Sequence, residues 1–349
     1  MPIAPHPAAE AYPSIDHLLG DGRGRFFSHG YKSTSPSLHA VQLHRDGAQS
    51  TLTARAGIRV RGVWSVKGEK AQLPHLGTTD VLVLASRMAE VLLSAQGLRD
   101  LLPQSFLRSV TITGGNKPIE KGLDDLACSA TARTQLGAPS STVRCTIESM
   151  TVILEIEHGT SAPTRDLGVA PAVISSADAV ALPEIDPASL YGELWSQRHV
   201  SLSNVLLDQH AGTALAQLSF LQDPPLSAGH VSTGLEAHHI HRLSALEYFV
   251  ATLQLGQVLL YRLDGVDRAQ SNTLWMRKTR IVLTEPTRRG PLPHAVALNS
   301  ELQNSRIITR GDESWRCADV VGSFDGGEVV CSVAHQLPAV GAAVSGSQR

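Results

Sequence analysis

The chain has 349 residues, 42% hydrophobic and 18% charged, with 30 Lys plus Arg against 32 Asp plus Glu. That length suits two units of ordinary domain size, each burying its own core. A formal net charge of −2 argues against a nucleic-acid binder, which needs a basic face, and against electrostatic attraction to an anionic membrane as a main theme.

No apolar run approaches the roughly 18–20 residues of a spanning helix. Residues 1–30 lack the continuous apolar stretch of a signal peptide, so a cytoplasmic location is expected. Cys128, Cys145, Cys317 and Cys331 lie in strand-like segments without C-x-x-C spacing and read as buried free thiols.

After an N-terminal segment (1–50), residues 51–67 alternate as a strand through Ile58, Val60, Trp64 and Val66. Residues 78–98 are apolar around nearly the whole helical wheel, the mark of a buried helix. Thr78 or Thr79 caps its start and Gly97 its end. Strand patterns return at 105–115, 126–137 and 141–159. Residues 161–195 are rich in Ala, Pro, Ser and Asp and read as a linker. The order then repeats: strands over 199–222, a long apolar helix at 243–265, and strands at 272–285, 304–312, 315–324 and 328–338. Asp325-Gly326-Gly327 marks a tight hairpin, and residues 339–349 read as a disordered tail.

A shift of 167 positions lays Val258-Leu259-Leu260 on Val91-Leu92-Leu93, Glu247 on Asp80 and Gln257 on Glu90. His158 and His335 each end a strand late in their unit. The pattern reads as a duplication. The expected fold is α+β, a tandem hot-dog: two curved antiparallel sheets (units 51–160 and 196–338), each wrapping a long central apolar helix. A groove between the units, lined by both helix starts, suits an acyl chain with a thioester head.

Glu247 has two readings: a capping box with Ser244, or a carboxylate orienting His238, His239 and His241 for acid/base work. His239, His241 and Glu247 also permit a metal reading, although no fourth ligand is evident; solvated histidines are the plain alternative. In the first unit Asp80 sits at a helix start, where a negative charge is favourable. Glu90 is a carboxylate in an apolar helix and needs a partner. The candidate catalytic residues are therefore Glu247, His241, His238, Asp80 and Glu90. Candidate substrate contacts are His75, Gln254, Gln257, Arg277 and Trp275. Neither a metal nor a cofactor is expected.

Residues 14–32 (SIDHLLGDGRGRFFSHGYK), 78–93 (TTDVLVLASRMAEVLL) and above all 243–279, with its LYRLDG to NTLWMR block, resemble the avirulence-D family of syringolide-synthesis proteins. The ending ADVVGSFDGGEVVCSVAHQLP fits as well. That family is similar in outlook to A-factor synthases, which are tandem hot-dog proteins. The resemblance implies an acyltransferase that joins a β-ketoacyl thioester, on acyl carrier protein or coenzyme A, to a hydroxyketone sugar such as xylulose. A butenolide- or syringolide-type lactone follows. The absence of a G-x-S-x-G motif favours direct attack over an acyl-enzyme. Alternatives on the same fold are a thioesterase or hydroxyacyl-thioester dehydratase, and a non-catalytic acyl-binding module. A homodimer is compatible with the fold, and no nucleic-acid or membrane partner is expected.

Overall fold

The computed structural model describes residues 9–46, 49–133, 137–160, 172–175, 186–227, 230–284 and 295–338. The first half contains β1 (Glu10–Ser14), α1 (Asp16–Leu19), β2 (Thr34–Asp46), β3 (Gln49–Val60), a short hairpin of β4 (Val66–Lys67) and β5 (Lys70–Ala71), then α2 (Thr78–Leu93). Strands β6 (Phe106–Thr113), β7 (Leu126–Arg133), β8 (Ser140–Ile147) and β9 (Met150–Glu157) follow it. The second half contains β10 (Ala172–Ser175), β11 (Arg198–Asp208), β12 (Thr213–Gln222), α3 (Ala245–Asp264), β13 (Trp275–Leu283), β14 (Val296–Arg310), β15 (Glu313–Phe324) and β16 (Gly327–Gln336).

Fourteen strands form one antiparallel sheet in the order β1-β11-β12-β14-β15-β16-β13-β6-β9-β8-β7-β3-β2-β10. Outward from the central pair, one side reads β6-β9-β8-β7-β3-β2 and the other β13-β16-β15-β14-β12-β11. These are the same elements of each half in the same order, so the internal repeat is structural. The two expected sheets are joined edge to edge where Val110 of β6 pairs with Ile281 of β13.

Alternation dictates which side chains face inward. Along β8, Val143, Cys145 and Ile147 are buried between exposed neighbours. Each half's strands wrap one helix: α2 packs on β2, β3, β7, β8 and β9, and α3 on β11 through β16. Every residue of α2 is buried, as is α3 from Ala245 to Tyr261. With each large apolar side chain contributing about 1.5–3 kcal/mol on burial, the helices are the centre of the hydrophobic core. The fold is the α+β tandem hot-dog arrangement. Gly256 sets the spacing of α3 against the sheet, since a Cβ there would lie 2.3 Å from Val320 Cγ1.

Several boundaries move for local reasons. The strand of 51–67 ends at Val60, because Gly62 (φ 86°) turns the chain. Residues 141–159 are two strands, with Glu148 at φ 50° in the turn. Past Leu93 the helix widens into a π turn at Ser94–Leu98, where Gly97 takes φ 81°. The N-terminal segment, left unassigned in sequence, supplies β1 and β2. In β2 a bulge between His39 and Gln42 breaks the alternation. The helical run Thr78–Gln104 is, contrary to the sequence reading, long and apolar enough to cross a membrane by length and composition; 78% of its apolar window is buried inside the fold. Most of the linker and the whole 339–349 tail lie outside the described residues.

Candidate active site

A groove of about 1210 Å³ opens beside the β6–β13 seam, larger than the roughly 300–1,000 Å³ usual for small-ligand pockets. The start of α2 (Gly77, Thr78) and Gln257 of α3 form part of its wall, with Phe26 and Phe27 from the N-terminal segment. Leu274–Arg277 at the start of β13 face them, and the outer wall is built from β14 and β15.

His75 stands in the loop before α2, between two indoles. Its ring is 4.6 Å from Trp64, edge-on, and 5.6 Å from Trp275. Nδ1 lies 3.4 Å from the Leu73 carbonyl, an acceptor only, so the proton of the neutral ring sits on Nδ1 and Nε2 keeps a lone pair. Burial lowers the His75 pKa below its ordinary value, with the Leu73 carbonyl and Glu120 opposing. An imidazole of this kind is neutral at pH 7 and can accept a proton.

Behind it runs a polar chain from the groove wall into α3. Lys67 donates to Ser271 Oγ (3.1 Å) and to the Ser271 and Asn272 carbonyls. Ser271 Oγ lies 3.1 Å from the Tyr261 hydroxyl, to which Gln257 Nε2 donates at 3.3 Å. Burial, with neighbouring Arg268, brings the Lys67 pKa down to about 8. Arg268 donates to the Gly24 and Val66 carbonyls (2.8 and 2.7 Å), tying the second half to the first. Of the residues singled out in sequence, the groove gathers His75, Gln257, Trp275 and Arg277, the last donating to the Gly115 carbonyl. Trp64, Lys67, Arg268, Ser271 and Tyr261 were missed, since only long-range folding brings them together.

The remaining candidates stand elsewhere. Asp80 and Glu247 occupy equivalent places as third helical residues of α2 and α3. Asp80 accepts from the Gly77 amide (3.0 Å) and from Thr34 Oγ1 (2.6 Å), the first residue of β2. Burial, against those two bonds, raises its pKa to about 6. Glu247 accepts from the Ser244 amide (2.6 Å) and pairs with Arg198, the first residue of β11, at 3.2 Å. Both carboxylates are fully enclosed. The capping-box reading of Glu247 describes its geometry. The expected histidine cluster around it does not assemble: His238 and His241 are exposed, and His239 packs edge-on to Phe106. Gln254 is buried in α3 outside the groove wall. Among the described residues no three His, Cys, Asp or Glu side chains converge as a metal set.

Glu90 explains why only one helix start, rather than both, lines the groove. It is the counterpart of Gln257, but the chain itself fills the space before it. Its Oε1 accepts from the Leu235 amide at 2.8 Å, and Leu235 is fully buried. Glu236 then accepts from the Leu107 amide (3.0 Å) and the Tyr191 hydroxyl (2.7 Å). Arg87, one turn earlier in α2, donates to the Tyr191, Gly192 and Pro36 carbonyls. Burial raises the Glu90 pKa to about 7, against the pull of the Leu235 amide and Arg87.

A carboxyl raised in the folded state binds its proton more tightly there than in the unfolded chain. Its stabilising contribution is full below the unfolded value of 4.5 and is lost as pH rises through about 7. Denaturant midpoints of the wild type are expected to fall over that interval. Glu90→Gln, which keeps an acceptor for Leu235, flattens this decline; an unchanged slope would show that Glu90 is not its source.

The profile of the Pseudomonas avirulence D protein (AvrD) family matches residues 10–338. No curated protein matches the sequence. Among solved structures, the tesB protein of Mycobacterium avium subsp. paratuberculosis is similar at TM-score 0.36 and 11% identity, over 84% of this chain and 94% of that one. A hot-dog protein of unknown function from Alicyclobacillus acidocaldarius gives 0.35 and 12%, over 85% and 96%. The dehydratase domain of PpsC from Mycobacterium tuberculosis, solved with C12:1-CoA, gives 0.34 and 12%, over 84% and 96%. Matched along nearly its whole length by one family profile, the chain belongs to the AvrD family.

Proposed function

We propose that this protein is an acyltransferase that joins a β-ketoacyl thioester to a hydroxyketone sugar such as xylulose, giving the ester from which a butenolide- or syringolide-type lactone forms. The observation that carries the reading is a neutral imidazole, His75, held between two indoles next to the start of a buried helix. His75 Nε2 takes the proton of the sugar hydroxyl as its oxygen attacks the thioester carbonyl. The positive end of α2 stabilises the oxyanion, with the Lys67 charge acting behind it at longer range, and the thiolate leaves with the transferred proton. The methylene between the two carbonyls of the acyl group is acidic. Once the ester has formed, the same base can remove that proton, and the carbanion closes on the sugar ketone. Phe26, Phe27, Leu274 and Met276 offer the acyl chain an apolar wall. Gln257, Trp275 and Arg277 are substrate contacts, and the reaction belongs in the cytoplasm. Asp80, Glu90 and Glu247 serve the scaffold in this reading.

The test is incubation with a β-ketoacyl thioester, with and without xylulose, followed by mass spectrometry and thiol release. The expected result is a sugar ester or its lactone, with thiol release that depends on the sugar. Rapid release without the sugar and no ester with it would replace this reading by a thioesterase.

A further inference from the structure

The outer wall of the groove has a chemical character the reaction above does not use. Strand β14 pairs with β12 only as far as Glu301, and beyond it pairs with β15 alone. Residues 303–310 are exposed and form an arm that reaches past the sheet. Arg306, Ile308 and Arg310 alternate along it and all line the groove, as does Trp315, which faces Ile308 across the hairpin. Lys117, after β6, lines the same groove from the segment whose Ile119 carbonyl accepts from the Leu76 amide at 2.9 Å. Among the described residues none of Arg306, Arg310 and Lys117 has a carboxylate partner.

The acidic side chain in that wall, Asp319, has both oxygens engaged, by Ser332 at 2.6 Å and Asn304 at 2.7 Å. Asp312 lies in the hairpin turn; Glu313, the first residue of β15, stands opposite Arg310 in the ladder, but its carboxylate accepts from Trp315 Nε1 at 3.1 Å and makes no ion pair with Arg310. Three cations without an ion-pair partner and an apolar patch, in the groove that also holds the imidazole, call for a ligand that is anionic at one end. Arginine in particular matches phosphate oxygens with paired N–H donors.

We infer that Arg306, Arg310 and Lys117 form a phosphate clamp for the phosphopantetheine arm that bears the acyl thioester. The clamp rests on the thioester reading above and deepens it. Ile308 and Trp315 supply the apolar contact beside the phosphate. The same chemistry arrives from two sources, coenzyme A or a carrier protein with its prosthetic arm.

The experiment uses the full chain and measures binding by calorimetry, independently of turnover. The probes are pantetheine, 4′-phosphopantetheine, coenzyme A and a holo acyl carrier protein. The phosphorylated arm is expected to bind at least 10-fold more tightly than pantetheine. In Arg306→Gln/Arg310→Gln the ratio collapses to within 2-fold, whereas Arg306→Lys/Arg310→Lys retains part of it. Greater affinity for coenzyme A or for the holo carrier identifies the source. Equal binding of pantetheine and phosphopantetheine by the wild type, or an undiminished ratio in the glutamine variant, would overturn the clamp. Because no sugar enters these measurements, failure of the ester-forming reaction and failure of the clamp are separately visible.

Discussion

Replacing His75 by glutamine is expected to lower the rate of ester formation by about 10²–10⁴-fold, the usual worth of a positioned general base. The amide keeps a similar shape between Trp64 and Trp275 but cannot accept the proton, so the loss falls on kcat more than on KM. The pH profile separates this from a packing defect. Desolvation holds the wild-type imidazole below its ordinary pKa. The active, neutral form therefore persists into mild acid, and activity declines only as pH falls through that lowered value. In His75→Gln the acid limb attributable to this group disappears. Initial rates from pH 5 to 8 with both proteins check the prediction, and a variant with full activity removes His75 from the chemistry.

The largest stability effect is expected at the Arg198–Glu247 pair. Both side chains are enclosed, and the guanidinium also stacks over Phe220 at 4.0 Å. Arg198→Met leaves a carboxylate in the core without its counter-charge, which costs about 3–5 kcal/mol. Glu247→Gln preserves an acceptor for the Ser244 amide but strands the guanidinium, and is expected to cost a similar amount. The double variant should lose less than the sum, because neither charge is then left alone. Urea unfolding of the four proteins closes the cycle. Stable, fully folded Glu247→Gln with abolished turnover would instead make Glu247 the base and displace His75.

The helices, the repeat and the late strands were legible because each rests on a strong local pattern. Residues 78–93 and 245–264 are apolar nearly all round, and Asp325-Gly326-Gly327 joins two alternating strands. Strand β2 was not legible: a bulge and Pro36 break its alternation, and its partner β3 stabilises it through tertiary pairing. The candidate site divides along the same line. His75, Gln257, Trp275 and Arg277 were named from their places beside the helices, and these places do meet in the groove. Glu247 and Asp80 attracted attention as carboxylates at helix starts, yet a helix start is also where a carboxylate satisfies free amides. Sequence cannot show whether such a group faces a ligand or its own backbone. Nor could it show that residues near 235 fill the space in front of Glu90. Lys67 and Ser271 are 204 positions apart, and only the folded sheet brings them to bonding distance.

The occupied space before Glu90 bears on stoichiometry. Duplication endowed the protein with two symmetry-related vestibules, and Leu235 and Glu236 have turned one of them into masonry. A ligand titration should therefore saturate at a single equivalent per polypeptide. With that space closed, Arg87, Glu90 and Glu236 bond across from one half of the chain to the other.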